Sequence, residues 1–357
     1  MMPVVLFVSV SAFADQGDIP HLDHVFLIVM ENHSFNEVIG GTNTPFINQL
    51  ARSSRLAINY YAVGHPSLAN YLEIVGGSNF GIVNDNDPDW HNGSHDGNRN
   101  KPIAESGKDV STPARIAPFH IEVPAAVFVG RTIGDQLAAA GKGWKTYQEN
   151  LPESGVVDRV DYSDGIYSNL NAPQLAPRHS VQALYVAKHN PFVYFARMQE
   201  NSDAVDGLNN VAGFTGINGL YADLGSGKAP AFSFIVPDLC HDMHGADNVS
   251  ALCANKATLL QMGDSTVKTL VTAIQDSSIW QQGNNIIIVL WDENDYSDTP
   301  NRVAAIIDTN YGGRKRPSSR PYSHFSLLKT LEAGFGLSCL NHACDKGVHV
   351  MDDLFAF

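Results

Sequence analysis

No run of apolar residues in this 357-residue chain is long enough to cross a bilayer, which argues against a membrane-spanning helix. Basic residues are scarce. Lys and Arg number 23 against 37 Asp and Glu, a formal charge of −14, and phosphate backbones want clustered cations, so nucleic acid is an unsuitable partner. A small phosphorylated substrate stays open, because a bound divalent cation reverses the local field. Cysteine is rare too: four in all, never at C-x-x-C spacing, which weighs against a thiolate zinc site. Internal repeats and low-complexity tracts are also missing, so the chain is not a solenoid.

Hydrophobic residues make up 44% of the chain, enough for a sizeable core. Val4 to Val10 is a short apolar stretch, and Ala12-Phe13-Ala14 fits the small-x-small cleavage pattern of an export signal. The expected organisation is a signal peptide over 1–14 and one domain over 15–357, in a secreted or periplasmic protein. The cysteines fall into two sequence-local pairs, Cys240 with Cys253 and Cys339 with Cys344, as two short disulfide loops would in an oxidising compartment. Four cysteines allow three connectivities.

Val25 to Met30 is six apolar residues without alternation, the signature of a strand covered on both faces. Asn285 to Trp291, Phe232 to Val236, Leu56 to Tyr61, Trp144 to Tyr147, Phe192 to Phe195 and Val303 to Ile307 read as further strands. Helices are expected after Thr44-Pro45, over Leu68 to Val75 ending at Gly76-Gly77, over Thr132 to Ala140, Lys256 to Ile274 and Phe325 to Phe335. Strands separated by helices predict an α/β fold, a three-layer sandwich with a largely parallel central sheet and helices on both faces. Residues 79–124 are rich in turn formers and are expected to form a loop-rich cap inserted over the site.

Polar chemistry gathers where apolar strands end. Glu31 and Asn32 follow the first strand, and Asp292 and Glu293 follow Trp291. In open α/β sheets ligands bind beyond the carboxyl ends of the strands. Three carboxylates meeting there would repel one another, and a divalent cation removes that penalty. Their oxygen-rich set suits Mg²⁺, Ca²⁺ or Mn²⁺, with Zn²⁺ also open. Ser67, in Gly64-His65-Pro66-Ser67, stands at a helix start, where it either caps the helix or, activated by a cation, serves as a nucleophile. Asp238 to His244 follows a third strand, bringing His241, Asp242 and His244 to the same edge, and Tyr322-Ser323-His324 precedes the last helix. Arg314-Lys315-Arg316, the one tight basic run, reads as solvated loop.

Five segments in this order resemble the phosphoesterase family of secreted acid phosphatases and non-specific phospholipases C, within the alkaline phosphatase superfamily. They are Glu31-Asn32-His33-Ser34-Phe35, His65-Pro66-Ser67-x-x-Asn70-Tyr71, Pro237-Asp238-Leu239-Cys240-x-Asp242-Met243-His244, Trp291-Asp292-Glu293 and Tyr322 to Leu328. The resemblance implies an alkaline-phosphatase-like fold, and a metal held by Glu31, Asn32, Asp292 and Glu293 with Ser67 completing the shell as nucleophile. His65, His244 and His324 would bind phosphate oxygens or move the leaving-group proton, and Asn70 and Asp242 would bind substrate. His33 stands where many relatives carry Arg, and His241 where they commonly carry Asn. The expected activity is phosphomonoester hydrolysis through a phosphoseryl intermediate, on a small phosphorylated substrate or a phospholipid or phosphoinositide headgroup. A phospholipase C-type diesterase and a non-catalytic surface module are the alternatives.

Overall fold

The computed structural model describes residues 18–89, 99–108, 115–116, 119–120, 127–151, 184–200, 205–246, 251–312 and 316–356. The expected signal peptide and part of the 79–124 segment lie outside these residues, as do Arg314 and Lys315 of the basic run.

Eight strands form the central sheet: β1 (His24–Met30), β2 (Arg55–Tyr61), β3 (Trp144–Gln148), β4 (Val211–Gly213), β5 (Phe232–Val236), β6 (Asn285–Trp291), β7 (Arg302–Thr309) and β8 (Ser318–Ser323). Their order is β8-β2-β7-β6-β1-β5-β3-β4. Only β7 opposes its neighbours β6 and β2; every other pairing is parallel. The unbroken apolar runs follow from this arrangement. A strand sandwiched between two layers has no wet face, so every residue of β5 and β6 is buried and β1 is open only at His24. Each such aliphatic side chain contributes about 1.5–3 kcal/mol of transfer free energy against the entropy of ordering the chain.

Helices covering the sheet include α1 (Pro45–Ser53), α2 (Ser67–Gly76), α3 (Ile133–Ala139), α4 (Lys256–Gln275) and α5 (His324–Phe335). α2 packs on α5 and α3, whereas α1 packs on α4. Gly77 and Gly336 stop α2 and α5 in the left-handed conformation, with φ 70° and 71°. Thr132 and Asp135 form the expected reciprocal cap of α3. Asp264, from within α4, accepts from the Phe46 and Ile47 N–H groups at 3.1 and 2.8 Å, locking α1 onto α4. The two disulfides form as Cys240–Cys253 and Cys339–Cys344.

One expected strand is corrected. Pro191–Tyr194 is a 3-10 turn, with Pro191 in its first position, and Phe192 to Tyr194 are wholly buried. A four-residue apolar run next to proline fits a buried turn as well as it fits a strand. The edge strands β4 and β8 were not anticipated, being respectively three residues long and interrupted by Pro321.

Candidate active site

Register positions the site. β1 and β6 run parallel with Met30 opposite Trp291, so the next residues, Glu31 and Asp292, emerge abreast. The Asp292 N–H donates to the Met30 carbonyl at 3.0 Å, and the Asn32 N–H to Asp292 Oδ1 at 3.2 Å. Asn32 turns the chain in the left-handed region (φ 51°), which asparagine tolerates better than most residues. Glu31, Asp292 and Glu293 are all buried.

Ser67 is the first residue of α2 and 2% exposed. Its Oγ lies 3.2 Å from both Glu31 Oε2 and Glu293 Oε1. A hydroxyl has one proton, so it satisfies only one of these oxygens at a time. Asn70, one turn on, holds the geometry. Its amide donates to Glu293 Oε2 (3.1 Å) and the Gly64 carbonyl (2.9 Å), and its Oδ1 accepts from the Val63 and Gly64 N–H groups. Those bonds use both its donors and both its acceptor sites, so Asn70 braces the Ser67 turn. His65 donates from Nδ1 to Glu293 Oε2 at 2.8 Å, and its other nitrogen makes no hydrogen bond among the described residues.

Opposite Ser67 lies a group the sequence reading missed. His189 is 2% exposed and bridges Glu31 Oε1 (2.8 Å) and Asp242 Oδ2 (3.2 Å), its ring stacked on Tyr71 at 5.1 Å. Burial pulls its pKa down, but the Glu31 carboxylate and the bonds to Asp242 and Glu31 prevail and raise it to about 9. The same imidazolium overcomes burial at Glu31 and holds that carboxyl well below its ordinary range. At Asp242 burial wins and the pKa rises. Lys188 reaches Asp85 Oδ2 at 3.0 Å and donates to His244 Nε2 at 3.2 Å; Asp85 Oδ1 accepts from the Leu68 N–H at the α2 N-terminus at 3.1 Å. The His244 Nδ1–H donates to the Gly245 carbonyl, and the His244 N–H to Asp242 Oδ1. Asp242 thus orients this loop.

His324 is fully buried. Its Nε2 meets the Asp292 carbonyl at 2.7 Å and its Nδ1 the Tyr60 hydroxyl at 3.2 Å. Burial lowers its pKa to about 4, so it stays neutral near pH 7. With both nitrogens engaged it anchors the Asp292 backbone. His241 turns away, to Glu149 at 2.9 Å and Asp238 at 3.4 Å.

The donor set fits a cation. Asn32 Oδ1 and Asp292 Oδ2 are buried acceptors with no hydrogen-bond donor. Burial, reinforced by Glu31 and Glu293, drives the Asp292 pKa well up, and burial raises Glu293 despite His65. Such atoms call for positive charge. Ligand atoms of Glu31, His189 and His244 also lie within 4.8 Å of one another, close enough to share an ion.

Comparisons with known proteins show the family and the fold. An acid phosphatase of Aspergillus fumigatus is 24% identical over 333 residues, 92% of this chain and 58% of that protein; the chain therefore spans less than two thirds of the fungal relative. A phosphatidylinositol-3-phosphatase of Mycobacterium tuberculosis is 25% identical over 91% of this chain and 81% of its own length. An alkaline phosphatase superfamily protein from Vibrio parahaemolyticus superposes with a TM-score of 0.50 at 14% identity, over 92% of this chain and 72% of that one, which shows the fold. The profile of the Phosphoesterase family matches residues 41–338, most of the chain including Ser67, Asp242, Glu293 and His324, and this protein belongs to that family.

Proposed function

We propose that this chain is a metal-dependent phosphoric monoester hydrolase, acid phosphatase-like, that works outside the cytoplasm through a phosphoseryl intermediate. The observation that carries the reading is the buried Ser67 hydroxyl at a helix N-terminus, 3.2 Å from each of two carboxylates. A divalent cation held by Glu31, Asn32, Asp292 and Glu293 would screen the carboxylates and favour the Ser67 alkoxide.

The remaining work falls to the protein. Ser67 Oγ attacks phosphorus in line and passes its proton to Glu293, whose pKa burial raises. Lys188 and the Leu68 N–H would bind non-bridging oxygens once Asp85 yields its place on both, with His244 beside Lys188. His65, fixed through Nδ1 by Glu293, offers its other nitrogen as proton donor to the leaving alcohol. Water then attacks the phosphoserine, with the same groups acting in reverse. The Mycobacterium tuberculosis relative is named for a phosphoinositide monoester, which supports a monoester over a diester and makes such a headgroup one substrate to try. The disulfides support an exported location, and no helix among the described residues is long and apolar enough to cross a membrane.

The test is Ser67→Ala assayed on an aryl phosphate. Loss of turnover with unchanged thermal stability is expected, and full residual activity would remove the nucleophile. Chelation should abolish activity and a divalent cation restore it; activity indifferent to chelation would remove the cation.

A further inference from the structure

Large apolar side chains are seldom left two-thirds exposed, and one of them stands at this site. Tyr296 is 66% exposed, and its ring stacks on His65 with centroids 3.9 Å apart and planes 19° from parallel. His65 is bonded to Glu293, and Glu293 faces Ser67, so one chain of contacts joins the Tyr296 ring to the reacting oxygen. The Tyr296 phenol also lies within electrostatic reach of Glu293, Asp85 and Lys188.

The backbone is arranged to keep the ring there. Tyr296 has φ 61°, a conformation that a bulky residue adopts only at a cost. Its N–H donates to Asn294 Oδ1 at 3.0 Å, and the Asn294 amide donates to the Asp298 carbonyl at 2.7 Å. The Asn294 N–H donates to Asn301 Oδ1 at 2.8 Å, while Asp295 is paired with Lys256 of α4 at 2.8 Å. A core position would explain such bracing, but this side chain is in solvent with one face on His65 and the rest open. A rigid exposed aromatic is a low-entropy contact surface.

The geometry points to Tyr296 as the platform that receives the alcohol side of the ester, selecting phosphomonoesters whose leaving group carries a flat aromatic ring. This rests on the monoesterase reading above. In an in-line displacement the leaving oxygen departs opposite Ser67, toward the mouth. An aromatic group on the alcohol leaving there can lie against the open face of Tyr296.

The test compares phenylphosphonate with methylphosphonate, two non-hydrolysable ligands that share the phosphoryl group, by calorimetry on the cation-supplemented protein. Tyr296→Ala should weaken phenylphosphonate about 3- to 10-fold, the range of an aromatic pair, and leave methylphosphonate within about twofold. Tyr296→Phe should bind as wild type does, and Tyr296→Leu, which keeps bulk without a flat face, should behave as the alanine variant. Equal losses on both phosphonates would mean that the ring only steadies His65, and would overturn the platform. Unchanged discrimination in Tyr296→Ala, with wild type still hydrolysing phenyl phosphate, would overturn the platform and leave the monoesterase standing. A wild type that neither hydrolyses phenyl phosphate nor binds either phosphonate would take both down.

Discussion

His189 gives the most direct test of the site's electrostatics. It is fully buried between Glu31 and Asp242, and its pKa stands at about 9 against an ordinary 6.5. A raised histidine stabilises the fold in its charged form. That stability is fully present below pH 6.5 and is lost as pH climbs through about 9. About 2.5 pH units at about 1.4 kcal/mol each gives about 3 kcal/mol, with no discount for solvent because the ring is buried. The perturbation is His189→Gln, which keeps an N–H donor and most of the volume but cannot carry charge. Both proteins are treated with chelator, since an ion at Glu31 would displace the proton, and unfolded in urea from pH 6 to pH 10. Trp144, Trp280 and Trp291, all buried, report by fluorescence. Wild type should exceed the variant most at pH 6, and the gap should narrow by about 3 kcal/mol by pH 9.5. Other groups, such as His241 with its own pKa near 9, cancel in the difference. A gap that is flat across this window, or that widens with pH, would refute the imidazolium bridge.

Asp85→Ala should free the Leu68 N–H and Lys188 for phosphate oxygens; inorganic phosphate would then inhibit about 10-fold more tightly, the difference of one charge-assisted hydrogen bond, read as Ki on an aryl phosphate. Gly263 of α4 lies against Met243, and a Cβ there would meet Met243 Cγ and Cε at 2.4 Å. Gly263→Ala should therefore shift the loop between Asp242 and His244, costing about 1–3 kcal/mol in a denaturation curve and lowering kcat more than a surface substitution would. Glu332 of α5 is buried with neither oxygen in a well-formed hydrogen bond, and burial raises its pKa well above the carboxylate range. A raised carboxyl makes the fold lose stability as pH rises above its ordinary value. Glu332→Gln should match wild type near pH 4 and exceed it increasingly above, by at most about 1.4 kcal/mol per pH unit; equal stability at pH 4 and pH 8 would refute this.

Much of the fold was legible because its central strands have no wet face. Val25 to Met30 and Asn285 to Trp291 can satisfy that many apolar side chains only between two layers, so sheet type followed from two runs of residues. The edges were not legible. Ser318–Ser323 carries a proline and exposed polar residues, tolerable only because one side of β8 pairs with nothing in the sheet. Phe192 to Phe195 misled for the opposite reason: burial was read correctly, but four residues cannot distinguish a strand from a buried turn.

The site divides along the same line. Glu31, Asn32, Asp292 and Glu293 could be found because each directly follows an apolar strand, and β1–β6 register converts that position in sequence into adjacency in space. Lys188 and His189 follow no strand. They sit on a 3-10 turn, Ala187–His189, whose sequence carries no period, and reach Glu31 only because Tyr71 and the α2 face give the turn a surface to pack on. Asp85 comes from the loop-rich segment, where any carboxylate looks solvated until the α2 N-terminus is placed beside it. One signal was available for Lys188 and His189. A carboxylate as deeply buried as Glu31 must face a cation, and the acidic tips alone supplied only more anions. An ion was the expected answer, yet the fold also supplies an imidazolium at 2.8 Å. Both draw on the charge of Glu31, the imidazolium at Oε1, so affinity for the ion should rise with pH as the His189 proton is lost near pH 9.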